Sequence, residues 1–71
     1  MSKVLNLSEA SSLIFGQSNT VIAEITGIPY MTVTSYKYRW NKGLLSAKLQ
    51  EEIILKFGLQ RVDEFRYVLP K

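Results

Sequence analysis

The chain has no cysteine, no histidine and only two prolines. Without cysteine it can form neither a disulfide nor a thiolate metal site. Without histidine it lacks the commonest general base and metal ligand. Carboxylates are sparse, and the neighbours Glu51 and Glu52 would point apart on a helix, a poor geometry for shared acid–base work. There is no phosphate-binding glycine loop, no cluster of metal ligands and no nucleophile motif. The expectation is a protein that is not an enzyme and takes no cofactor, no metal and no small-molecule ligand. Long apolar runs are missing too. Met1-Ser2-Lys3-Val4-Leu5-Asn6-Leu7 lacks the apolar stretch of a signal peptide, and no segment approaches the roughly eighteen apolar residues of a membrane span. The chain reads as cytoplasmic, with no membrane partner.

One further absence is local. Between Ile25 and Gln50 there is no acidic residue, while Lys37, Arg39, Lys42 and Lys48 all fall there. The net charge is only +3, so the distribution carries more information than the total. A solvated basic face is the plain explanation. Beside a helix built to be presented outward, it reads better as the footprint of a polyanion.

Seventy-one residues, 46% of them apolar, describe one domain spanning 1–71. A core of this size supplies only about 3–5 kcal/mol net, which makes self-association a natural route to stability.

Helical spacing and capping residues predict four helices. Asn6 with Glu9 forms a capping-box pattern, so the first helix starts near Leu7, carries Leu7, Ala10, Leu13 and Ile14 on one face, and ends at Gly16. Ser18 caps a second helix, about Asn19 to Thr26. A third begins at Pro29 or Tyr30 and reaches about Trp40, with Val33, Tyr36, Lys37 and Trp40 turned inward. Asn41-Lys42-Gly43 is a break. Ser46 caps a fourth helix, which ends at Phe57 and is closed by Gly58. Residues 59–71 admit two readings. Leu59, Val62, Arg66 and Leu69 fit a helix, whereas Phe65, Tyr67 and Leu69 alternate as in a strand from Glu64 to Leu69, stopped by Pro70. The strand is the preferred reading, with Val4-Leu5 as its pairing partner. Its apolar face and open edge make Phe65, Tyr67 and Leu69 the expected dimerisation residues. The fold class is thus mainly α, a compact four-helix domain with a short C-terminal strand.

Within it, Ala23, Gly27, Ile28, Val33 and Tyr36 have the spacing of a helix-turn-helix over about 18–40. A small residue at Ala23 lets two helices cross closely, Gly27 ends the first helix, Ile28 plugs the turn, and Val33 and Tyr36 face back. An αα-hairpin that only builds a core would use some of these features. The register of all five, in a basic chain, favours DNA binding. The second helix of such a motif enters the major groove, so Tyr30, Met31, Thr34, Ser35 and Tyr38 are the expected base contacts. Thr34 and Ser35 can exchange hydrogen bonds with base edges, and the Thr methyl can pack on thymine. Met31 makes readout apolar and shape-dependent rather than bidentate. Gln17, Asn19, Lys37, Arg39 and Lys42 are the expected phosphate contacts, the first two flanking a helix N-terminus. Arg39 could equally pair with a carboxylate of the fold. Trp40 could stack on single-stranded bases, but its spacing from Val33 and Tyr36 assigns it to the core.

The segment Gly27-Ile28-Pro29-Tyr30-Met31-Thr32-Val33-Thr34-Ser35-Tyr36-Lys37-Tyr38, followed by Asn41-Lys42-Gly43 and the helix from Ser46, resembles the Cro/CI-type helix-turn-helix regulators of phages. Phe15-Gly16-Gln17 is similar to the corresponding junction in small Cro proteins. The resemblance covers about residues 7–58. It implies a cytoplasmic homodimer on a pseudo-palindromic site in double-stranded DNA, acting as a repressor or switch of a phage or mobile-element promoter. Tyr30 and Met31 depart from the glutamine or arginine often found there. Two rival readings use the same residues: a DNA-architectural, excisionase-like factor, and a protein-interaction module such as an antirepressor working through Tyr30 and Met31.

Overall fold

The computed structural model describes residues 3–69; Pro70, expected to stop the last strand, lies outside them. Helix α1 (Leu7–Phe15) begins on a reciprocal cap. Asn6 Oδ1 accepts from the Glu9 amide at 2.8 Å, and Glu9 Oε1 accepts from the Asn6 amide at 3.1 Å. Ser18 and Ser46 start α2 (Asn19–Thr26) and α4 (Ala47–Phe57), each hydroxyl accepting a backbone N–H at 3.2 Å. Gly27 closes α2 in the left-handed region at φ 75°. Gly16 ends α1 for another reason. Its φ of −76° suits any residue, but a Cβ there would lie 3.0 Å from the Ser12 carbonyl oxygen, so crowding rather than handedness favours glycine.

The third helix, α3 (Tyr30–Asn41), begins after Pro29, and only Val33 on it is fully buried. It is held instead by half-buried side chains. Trp40 stacks on Phe15 with ring centroids 5.2 Å apart, which places it in the core rather than on a nucleic-acid surface. The core is Ala10, Ile14 and Phe15 of α1, Ile22 of α2, Ile28 of the turn, Val33 of α3, Leu45 between α3 and α4, Ile53 and Ile54 of α4, and Leu59 and Tyr67 beyond it. A polar strut crosses its edge: the buried Ser11 hydroxyl donates to Gln50 Oε1 at 2.7 Å, and Gln50 Nε2 donates to the Leu45 carbonyl at 2.9 Å.

The C-terminal segment corrects the sequence reading in its details. The chain forms a hairpin, β2 (Gln60–Asp63) and β3 (Arg66–Val68), and β1 (Leu5–Asn6) pairs on the far side of β3, giving the antiparallel order β1-β3-β2. Leu5 does pair there, opposite Tyr67. The expected strand Glu64–Leu69 is therefore shorter than its alternation suggested. Phe65 sits in the turn at φ 53°, and Leu69 lies past the strand, exposed. Nor is the strand an open edge, since both sides of β3 are paired within the chain. Tyr67 has no exposed surface; its hydroxyl donates to Glu51 Oε1 at 2.8 Å, and Arg61 Nε meets the same oxygen at 3.2 Å. Tyr67 is thus internal and unavailable to a second copy, while Phe65 and Leu69 remain on the surface. The edges are β1, only two residues long, and β2, where the register shifts between Arg61 and Asp63. A bulge flanked by charges discourages edge-to-edge pairing.

Candidate nucleic-acid interface

The junction between α2 and α3 is closed by local bonds. Thr26 Oγ1 donates to the Ile22 carbonyl at 2.6 Å and accepts from the Ile28 amide at 3.2 Å, while the Gly27 amide reaches the Ala23 carbonyl at 2.9 Å. Ile28 turns into the core, and Ala23 and Tyr36 pack against it. The spacing read from the sequence thus produces a tight helix-turn-helix whose second helix has little of its surface committed to the fold.

The five expected base-contact residues share that open surface. Met31 is 77% exposed, Tyr38 63% and Tyr30 52%, and Thr34 and Ser35 are exposed between them. That is a large apolar and aromatic area to leave in water without a partner. Thr34 is also tied into the motif: Oγ1 donates to the Tyr30 carbonyl at 3.1 Å and accepts from Asn19 Nδ2 at 3.3 Å. Its hydroxyl proton is engaged, so it offers a lone pair and a methyl outward. Asn19, expected to meet phosphate, turns its half-buried side chain toward α3. Its exposed neighbour Gln17 bends back to the Leu13 carbonyl at 3.5 Å.

The cations around α3 divide into three cases. Lys37 Nζ donates to the Gln17 carbonyl at 2.9 Å, fastening the loop between α1 and α2 while two of its protons stay free. Lys42 Nζ lies 5.7 Å from the centroid of the Tyr38 ring, a cation–π distance. Arg39 is exposed and, among the described residues, meets no carboxylate, which was its alternative role. Among the described residues the ion pairs are Lys3–Glu9, Glu52–Lys56 and Glu51–Arg61, so none involves Lys37, Arg39, Lys42 or Lys48. Among the described residues, the acid-free run of sequence becomes a set of cations with no ion-pair partner.

One exposed residue here escaped the sequence reading. Leu44, just after α3, is 72% exposed. The signal was available, because a glycine closing a helix is commonly followed by an apolar residue that folds back on the last turn.

In comparisons with protein-family models, curated proteins and solved structures, nothing matches the chain. The fold itself defines the class: a mainly helical four-helix domain with a helix-turn-helix and a small sheet. Among the described residues no helix is long and apolar enough to cross a membrane.

Proposed function

We propose that this chain is a sequence-specific, double-stranded DNA-binding transcriptional regulator of the Cro/CI kind, repressor-like and working as a homodimer in the cytoplasm without a cofactor or catalytic activity. The observation that carries the reading is the surface of α3. Tyr30, Met31, Thr34, Ser35 and Tyr38 form one exposed face, and among the described residues Lys37, Arg39 and Lys42 beside it have no carboxylate to neutralise them. An exposed helix flanked by uncompensated cations suits a groove walled by phosphates. Met31 also suits an apolar protein partner, but the cations favour DNA over that alternative.

In this reading α3 lies in the major groove, Thr34 and Ser35 touch base edges, Met31 and the tyrosines follow groove shape, and Lys37, Arg39 and Lys42 hold the backbone. Anisotropy titrations of a labelled duplex over a salt series test it. Binding should weaken steeply as salt rises, and Arg39→Ala or Lys42→Ala should each flatten the log–log slope by about one unit on every sequence. Lys37→Ala should do the same, since its hydrogen bond to the Gln17 carbonyl leaves its charge in place. An affinity independent of salt would refute the assignment.

A further inference from the structure

The end of α3 is closed by two specific hydrogen bonds. The Gly43 amide, at φ 72°, donates to the Trp40 carbonyl at 3.0 Å, and the Leu44 amide donates to the Arg39 carbonyl at 2.8 Å. This pair of bonds is the Schellman arrangement, which fixes the backbone and brings the residue after the glycine beside the last helical turn. In most such motifs that residue is apolar and buries itself on the turn. Here Leu44 stays 72% exposed and Tyr38, on that turn, 63% exposed. Lys42 lies between them in sequence, its ammonium 5.7 Å from the Tyr38 ring centroid. The turn therefore presents an exposed leucine two residues past an ammonium that lies at cation–π distance from an exposed ring and has no ion-pair partner among the described residues.

We propose that Leu44 and Lys42, beyond Tyr38 at the end of the groove-facing surface, form a seat for one deoxyribose–phosphate unit of duplex DNA, the ammonium meeting the phosphate and Leu44 packing on the apolar face of the sugar. This rests on the DNA-binding reading above and adds to it a contact that is neither ionic nor sequence-reading. A protein partner would also cover Leu44, but Leu44 lies within the acid-free stretch from Ile25 to Gln50, close in the chain to Arg39 and Lys42, and a phosphate backbone answers their charge. Base-reading residues of such motifs lie toward the start of the second helix. Leu44, just past its far end, falls where the chain meets the backbone.

The test is Leu44→Ala in the full chain, titrated against a duplex carrying the preferred site and an unrelated duplex, each over a salt series. Leu44→Ala should weaken both complexes about three- to tenfold, the range expected for removing most of a leucine from a half-covered contact. It should leave the salt slope unchanged, because no counterion is released by an apolar contact. Lys42→Ala should flatten the slope by about one unit, and the double variant should lose less than the product of the two single losses. Leu44→Met should retain binding. Circular dichroism confirms that the variants fold. Unchanged affinity, or a loss confined to the preferred site, would overturn the proposal. So would a changed sedimentation coefficient of the free Leu44→Ala chain, since Leu44 would then join two copies. If the unaltered chain binds neither duplex, the DNA-binding reading fails and the seat fails with it; if only the Leu44 result disagrees, that reading stands and the seat alone is refuted.

Discussion

Replacing Tyr67 by Phe removes one oxygen from the core and changes how the fold responds to alkali. The ring is fully buried, and its hydroxyl donates to Glu51 Oε1 at 2.8 Å. Burial first, and then the hydrogen bond and charge of Glu51, push the Tyr67 pKa up from 10.0 to about 12. The sign follows directly. Below pH about 10 both folded and unfolded chains keep the proton, and the stabilisation is complete. Between about 10 and 12 the unfolded chain releases the proton while the folded chain holds it, so stability falls as pH rises. Each unit of that window is worth about 1.4 kcal/mol, hence about 3 kcal/mol across it. At neutral pH, Tyr67→Phe should cost about 1.5–2 kcal/mol, the lower part of the range for a hydrogen bond to a charged group, because Arg61 still answers Glu51. Urea unfolding followed by helical circular dichroism, from pH about 8 to about 11.5, measures both effects. The two proteins should differ most at neutral pH and converge as alkali is added, the gap closing by about 1.4 kcal/mol near pH 11. Stability curves that stay parallel across that range would refute the assignment of the raised pKa to this buried contact.

Three other outcomes are expected. Thr34→Ala and Ser35→Ala should each cost about 1–3 kcal/mol on the preferred DNA site and almost nothing on unrelated sequence, measured by competition binding; equal losses on both would remove this face of α3 as the reader. Gly27→Ala meets no neighbouring atom within 4 Å yet keeps φ at 75°, so chemical denaturation should show a loss of about 1–2 kcal/mol from backbone strain alone. Deleting residues 64–71 takes away Tyr67 and the central strand β3, so thermal melts of the truncated chain should show a broad or absent transition instead of a folded helical remnant.

The helices were legible because their determinants are local. Asn6 with Glu9, Ser18, Gly27, Ser46 and Gly58 act within three or four residues of themselves, and the structure uses each where the sequence offers it. The outward face of α3 was legible for the same reason: 3.6-residue spacing sorts Val33 from Thr34 and Tyr36 from Tyr38. The sheet was not. Gln60-Arg61-Val62-Asp63 has no alternation to betray a strand, since all four residues are exposed on an outer edge. Phe65 adopts a positive φ that nothing in its chemistry announces. Tyr67 looked like one member of an apolar stripe, but its place is set by Glu51 on α4, sixteen residues earlier. In the interface, the Asn19–Thr34 bond spans fifteen residues and depends on how α2 crosses α3, a tertiary fact. It gives a residue expected to meet phosphate a structural contact with one expected to meet bases.

Selection of bound sites from random duplex DNA by the full chain tests the central claim most directly. The account predicts enrichment of a short motif with two-fold symmetry, its half-sites about one helical turn apart, protected as a single footprint. A chain that retains duplex DNA at low salt but enriches no sequence through successive rounds, or that retains none, would contradict it.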